Sequence, residues 1–319
     1  MDTQLARLQH LPAAAETFAG SLLTGLSKSP KEIACKFFYD EAGSRLFDQI
    51  CELPEYYQTR TETALLRRHA PEIAALMGPN VEIVEFGAGS LRKVRILLDA
   101  AKDLCAYSPL DISGGYLGEV VRTLAADYPA LTLRPLAGDF TQPLDIPELP
   151  GAPRRAGFFP GSTIGNFQPD AAMALLRRMR GVLNGGGLLI GVDLVKDPVR
   201  LHAAYNDVAG ITAQFNKNLL ARANSELGAD FDLDAFAHYA PYNAMAHRIE
   251  MYLVSLKRQS VTLCGQRIDF AQGEAVHTED SHKYTIESFR EMACRAGFNP
   301  RAVWTDEERL FAVHWLESR

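Results

Sequence analysis

The sequence predicts an α/β fold with a mostly parallel sheet, together with a smaller α+β domain. Three observations carry that expectation. Short apolar runs alternate with helix-period segments from about residue 60 to 195, the pattern of a parallel sheet covered on both faces. Residues 196–283 break the alternation with aromatic-rich and strand-like stretches. The C-terminal segment then reads as one helix and a hairpin.

Taken in order, residues 62–77 place apolar side chains at helical intervals, with Thr59 and Thr61 as candidate caps. Val81 to Phe86 is a short strand ending in Gly87-Ala88-Gly89, followed by helical Val94 to Ala101. Cys105 to Ile112 is a second strand and Tyr116 to Tyr128 a helix. Leu131 to Ala137 is a third strand, which runs into Gly138-Asp139-Phe140. Ala156 to Phe159, helical Ala171 to Leu183 and Leu188 to Val192 complete the alternation. After helix Ile286 to Ala296, Ala302 to Thr305 and Leu310 to Leu316 read as strands around the charged turn Asp306-Glu307-Glu308-Arg309. An antiparallel hairpin at the edge of a parallel sheet is the Rossmann-like arrangement of class I S-adenosylmethionine-dependent methyltransferases.

Residues 60–195 and 284–319 are therefore expected to form the methyltransferase domain. Residues 1–59 and 196–283 are expected to fold together as a substrate-binding domain. The second segment contains a helical stretch near Pro198 to Asn224, an aromatic-rich loop, and strands around Arg248 to Lys257 and Val261 to Phe270. Open α/β sheets bind ligands at the carboxyl ends of their strands, so the acceptor pocket is expected between the domains.

Bulk properties narrow the function. A net charge of −6 with interspersed signs argues against nucleic acid, which needs a basic face, and weakly against an anionic membrane surface. Apolar runs fall far short of the ~20 residues of a membrane span. Met1-Asp2-Thr3-Gln4 lacks the basic start of a signal peptide. The cysteines Cys35, Cys51, Cys105, Cys264 and Cys294 are scattered without CxxC spacing, as reduced thiols of a cytoplasmic protein and not as a metal site.

Glu85-Phe86-Gly87-Ala88-Gly89 after the first strand would let a ligand approach the backbone and the amides of the next helix. Alone this is equally an ordinary turn. Asp111 at the end of the second strand suits two ribose hydroxyls, and Asp139 at the end of the third suits an adenine edge. The three together point to an adenosine ligand. A dinucleotide fingerprint would have a third glycine where Arg92 stands, which disfavours a nicotinamide oxidoreductase. Lys93 could reach the carboxylate of a cofactor's amino-acid tail, or lie on an exposed helix face.

Several peptides then stand out together. They are Lys36-Phe37-Phe38-Tyr39-Asp40, Leu53-Pro54-Glu55-Tyr56-Tyr57, Gly161-Ser162-Thr163-Ile164-Gly165-Asn166, Asp193-Leu194-Val195-Lys196-Asp197, Phe215-Asn216-Lys217-Asn218, Arg248-Ile249-Glu250-Met251 and Thr278-Glu279-Asp280-Ser281. From about residue 30 onward the chain resembles the L-histidine Nα-methyltransferases of ergothioneine biosynthesis. The resemblance implies three methyl transfers from S-adenosylmethionine to histidine and its mono- and dimethylated forms, giving hercynine, by a monomer. It implies Gly87, Gly89, Lys93, Asp111, Asp139 and Phe140 at the cofactor. It implies Asn166, Tyr56 and Tyr205 at the acceptor's carboxylate and amine, with Gly161 and Tyr39 close by and Asn166 and Tyr39 serving catalysis. Glu279 and Ser281 would grip the imidazole, and Met251, Thr212 and Phe215 would shape its pocket. Another amino-acid acceptor, or a silent cofactor-binding subunit, is the competing reading; retention of the whole acceptor set disfavours the silent subunit.

The chemistry agrees. In-line methyl transfer asks mainly for a positioned, uncharged amine. An α-amino group has a reference pKa near ~8, so a modest shift leaves a neutral fraction at pH 7. Glu279 and Ser281, two apart, face the same side of an extended segment, where a carboxylate and a hydroxyl match the two nitrogens of an imidazole.

Overall fold

The computed structural model describes residues 6–11, 16–151 and 153–318; the first four residues read above lie outside them. The chain divides into two compact units, residues 1–14, 58–195 and 283–319 in one, and 15–57 and 196–282 in the other. Three boundaries differ from expectation, the first because Gln58 and Thr59 fall in the first unit with the helix Tyr57–Met77. The N-terminal stretch joins the first unit because Gln9–His10 pairs in parallel with Leu136–Ala137 at the sheet edge. Lys283 also belongs there, since its ammonium meets the Asp193 carboxylate at 2.8 Å with both side chains fully buried.

The first unit is built on an eight-stranded sheet in the order Gln9–His10, Leu136–Ala137, Leu104–Asp111, Val81–Phe86, Arg155–Phe159, Gly187–Asp193, Phe311–Ser318, Phe298–Thr305. Pairings among the first six strands are parallel, and the last two run antiparallel as the C-terminal hairpin. Val81–Phe86 is buried at every position, as a central strand covered on both faces must be. Leu97, Leu117, Val121, Leu124 and Trp315 pack one face, and Leu175, Leu176, Met179, Phe289 and Leu316 the other. Chain order reverses between Val81–Phe86 and Arg155–Phe159, so the turns after these two strands flank the crevice where open sheets take ligands.

Two local expectations are corrected. The third strand is only Leu136–Ala137 with a lone bridge at Leu133, because Pro135 has no amide for the ladder and Arg134 turns its guanidinium to Glu82 at 2.7 Å. The first long helix starts at Tyr57 and spans Tyr57–Met77, so Thr59 and Thr61 lie inside its first turns and not at the cap position before it. The helix after the glycine turn begins at Val94, as expected, with Leu91 at φ 57 in the loop before it.

The second unit holds a sheet ordered Lys31–Glu32, Ala275–His282, Arg248–Ser255, Phe236–Tyr239, with Tyr242–Asn243 also on Arg248–Ser255. Arg248–Ser255 alternates strictly between buried and half-buried residues, as a strand with one core face does. The expected strand at Val261 to Phe270 is instead a hairpin, Gln259–Leu263 with Gln266–Phe270, turning at Cys264 (φ 48) and Gly265 (φ 76). The aromatic-rich loop likewise includes a strand, Phe236–Tyr239. Helices Phe18–Leu26, Glu41–Glu52, Pro198–Tyr205 and Ile211–Leu227 accompany these strands. Asp40 caps Glu41–Glu52 by accepting from Gly43 N at 2.7 Å, and a Cβ at Gly43 would stand 1.7 Å from the Phe38 carbonyl oxygen. Among the described residues no helix is long and apolar enough to cross a membrane.

Candidate active site

In the first unit the glycine turn follows the central strand. Gly87 (φ 72) and Gly89 (φ 52) adopt left-handed conformations that glycine alone takes without steric cost. A Cβ at Gly89 would meet nothing within 4 Å, and one at Gly87 only the Phe140 ring edge at 3.4 Å. The cradle is thus open, with Phe140 bounding it. Asp111 accepts from Gly89 N at 3.0 Å through one carboxylate oxygen and from Ser113 N at 2.8 Å through the other. Each oxygen retains a lone pair, the capacity that two ribose hydroxyls require. Burial raises the Asp111 carboxyl above the usual range, opposed by these amide hydrogen bonds.

Asp139 is turned back on its own loop, accepting from Thr141 N at 2.8 Å and Thr141 Oγ1 at 2.5 Å. Its neighbour Phe140 packs edge-on against Phe159. Lys93 is not on an exposed helix face. Its ammonium lies 2.5 Å from the carboxylate of Glu62, which is 1% exposed. Behind the turn, Glu85 accepts a hydrogen bond from the Tyr107 hydroxyl, and burial pushes its carboxyl up to about 8.

Asn166 ends the short helical turn Thr163–Asn166 after the fourth core strand, Arg155–Phe159. That turn is held from several directions. Gly161 N donates to Glu62 at 2.9 Å, Thr163 Oγ1 to Pro160 O at 3.0 Å, and Asp193 N to Ser162 Oγ at 2.8 Å.

The other expected acceptor residues come together in the second unit. Glu279 and Ser281 lie on Ala275–His282, where Glu279 faces Met251 and Ser281 faces Ile249 across the ladder. The register slips between Met251 and Tyr252, and the extra residue, Thr278, donates to Met251 O at 3.1 Å. Ser281 Oγ is 2.7 Å from the Tyr205 hydroxyl. Tyr205 meets Tyr56 edge-on at 6.3 Å between ring centroids, and Tyr39 meets Phe215 at 5.8 Å. Thr212 and Phe215 are buried on one face of Ile211–Leu227. Burial, followed by the neighbouring Tyr205, Cys51, Tyr39 and Glu279, holds the Tyr56 phenol well above its ordinary pKa. It is therefore a neutral hydrogen-bonding group at physiological pH.

Residues 18–318 match the family of histidine-specific, S-adenosylmethionine-dependent methyltransferases. The chain belongs to that family. It is similar to the histidine N-alpha-methyltransferase of Mycolicibacterium smegmatis, with 42% identity over 98% of each chain. The enzyme of the same name from Mycobacterium tuberculosis is 41% identical over 91% of each chain. Ergothioneine biosynthesis protein 1 of Neurospora crassa is 32% identical, over 86% of this chain and 32% of that one. Among solved structures, a possible exported protein from Bordetella parapertussis shares the fold, with a TM-score of 0.52, 14% identity and coverage of 94% and 87%. This histidine-specific methyltransferase is thus a class I enzyme with S-adenosylmethionine as donor and histidine as acceptor.

Several residues around these positions escaped the sequence reading. Phe47 meets Tyr39, Tyr56 and Phe215 at 5.8, 6.2 and 6.0 Å between centroids; its one signal is the position on an amphipathic helix soon after Phe37-Phe38-Tyr39. Cys35 is half-buried, and its thiol is pushed up to about 12 by desolvation and then by Glu279. His238 holds the Tyr205 carbonyl oxygen through Nε2 at 2.8 Å and meets Asn216 through Nδ1 at 2.9 Å. No local pattern marks it. Glu62 reads in sequence as an ordinary residue of an amphipathic helix.

Proposed function

We propose that this histidine-specific methyltransferase transfers three methyl groups in succession to the α-amino nitrogen of L-histidine, forming hercynine, the first step of ergothioneine biosynthesis. The names of the similar mycobacterial and Neurospora proteins support that assignment. The observation that carries it is the buried pairing of Glu279 and Ser281 on one strand, with Ser281 bonded to Tyr205 at 2.7 Å. A carboxylate and a hydroxyl so placed occupy both imidazole nitrogens. The ring is then gripped and the α-amine is the nitrogen left to react.

S-adenosylmethionine supplies a methyl group on a sulfonium, open to in-line attack by a neutral amine. Asn166 and Tyr39 orient that amine, and Tyr56 and Tyr205 together with Asn166 hold the carboxylate beside Gly161. These groups are neutral, so none adds a cation to compete with the sulfonium. Met251, Thr212 and Phe215 bound the imidazole. Gly87 and Gly89 admit the cofactor backbone, Asp111 accepts from the ribose, Asp139 and Phe140 border the adenine, and Lys93 meets the tail carboxylate. Mono- and dimethylhistidine are successive acceptors. The enzyme acts as a monomer in the reducing cytoplasm, consistent with its free cysteines, without a nucleic-acid or membrane partner.

Mass spectrometry of histidine incubated with enzyme and S-adenosylmethionine tests the assignment. Three successive methyl gains, all on the α-nitrogen by fragmentation, are expected; a methyl on the ring would overturn it.

A further inference from the structure

We propose that Glu62 is a positioning residue for the amino-acid end of the cofactor, aiming Lys93 and anchoring the turn that begins at Gly161. The inference rests on the reading of Lys93 given above. The Glu62 carboxylate is 1% exposed and receives three hydrogen bonds, from Lys93 Nζ at 2.5 Å and from Gly161 N at 2.9 and 3.1 Å to its two oxygens. It therefore ties the helix Tyr57–Met77 to the loop after the first core strand and to the turn after the fourth, the two loops that flank the switch point.

The strand Gly187–Asp193 makes room for it. A Cβ at Gly191 would lie 2.0 Å from Glu62 Oε1, so a glycine at this buried strand position admits the carboxylate. A buried ion pair is a poor means of holding a fold together, since well-packed apolar residues of similar volume commonly do as well or better. What such a pair supplies is direction. An ammonium has three donors, and one committed to Glu62 leaves two aimed consistently at an approaching carboxylate. Lys93 has a second carboxylate in its surroundings, Glu85, but that group's proton is retained by burial, which leaves Glu62 as the counter-charge. The cofactor tail is itself a zwitterion, and a fixed ammonium beside a fixed carboxylate is its complement.

The role predicts an effect confined to the tail. Calorimetry would compare S-adenosylhomocysteine with 5′-methylthioadenosine, which keeps the adenosine and thioether but lacks the amino acid. The proteins are wild type, Glu62→Gln, Glu62→Asp and Lys93→Met. Taking the ratio of the two dissociation constants on one sample cancels any loss of folded fraction. Both Glu62 variants should weaken S-adenosylhomocysteine by about tenfold, the scale of one hydrogen bond to a charged group, with 5′-methylthioadenosine changed less than about twofold. Lys93→Met should erase most of the preference for the tailed ligand. Weakening of both ligands alike by the Glu62 variants would make Glu62 purely structural and overturn the inference. If Lys93→Met abolishes the preference while both Glu62 variants keep it, the inference alone falls. If Lys93→Met keeps the wild-type ratio, the reading of Lys93 fails and the inference falls with it.

Discussion

The glycine turn of the first unit and the strand Ala275–His282 of the second prepare for ligands by opposite means. At the turn, side chains are withdrawn: Gly87 and Gly89 leave an open cradle, and a few carboxylates are fixed by amides and by Lys93. At the strand, side chains are crowded together. Tyr39, Phe47, Tyr56, Tyr205 and Phe215 pack ring against ring, and Glu279 and Ser281 are buried. The first arrangement suits a ligand shared by many enzymes, recognised through backbone and ribose. The second suits one side chain, because buried polar groups penalise any occupant that leaves them unpaired.

If that contrast is right, the largest effect is in acceptor choice. Wild-type enzyme should favour histidine over phenylalanine by roughly 10⁴ in kcat/KM, the discrimination available to a hydrogen-bonding pocket. Glu279→Ala should lower kcat/KM for histidine by about 150-fold, or ~3 kcal/mol, and relatively favour tryptophan, more so with Met251→Val. A competition assay decides it, and a double variant that keeps full histidine preference would remove Glu279 from the imidazole.

Asn166→Ala should slow methyl transfer by about 10²-fold, the scale of a misplaced reactant, with S-adenosylhomocysteine affinity nearly unchanged. Collapse of cofactor binding in step with activity would show a structural turn residue instead. Asp111→Ala sharpens the other side of the comparison. It should weaken cofactor binding by ~2 kcal/mol, about 30-fold, while a competition assay finds acceptor preference intact. An unaltered dissociation constant would put Asp111 outside the site.

The smallest effect concerns pH. Burial raises the Glu85 carboxyl from 4.5 to about 8, so the folded chain retains a proton there that the unfolded chain has lost. Its contribution to stability is full below about pH 4.5 and declines as the pH rises towards 8. Glu85→Gln, which resembles the neutral acid, should therefore gain thermal stability relative to wild type between pH 5.5 and pH 8. Parallel melting curves at the two pH values would leave Glu85 ionised in the folded protein. Activity should move the opposite way, rising from pH 6 to 9 as the α-amine loses its proton.

The amino-acid sequence by itself determined the alternation of strands and helices that builds the parallel sheet, while its strand order and switch point came from the tertiary structure. Val81 to Phe86, the glycine turn and Asp111 are consecutive or a single strand–helix repeat apart, and period alone distinguishes their strands from the helices. Errors there fell at element ends, at Pro135, where a missing amide shortens the strand, and at the edge strand Gln9–His10, which was not foreseen. Asn166, Tyr56 and Glu279 came to notice as motifs through the family resemblance, since a buried tyrosine or an acidic loop residue has no periodic signature of its own. The arrangement of Tyr205 against Ser281, the bulge at Thr278, and the rings of Phe47 and Phe215 join segments far apart in the chain, so only tertiary packing decided them. Glu62 shows the limit most clearly. An acidic residue on an amphipathic helix belongs to solvent by default, and it is buried here because Lys93 and Gly161 satisfy it and Gly191 leaves it room.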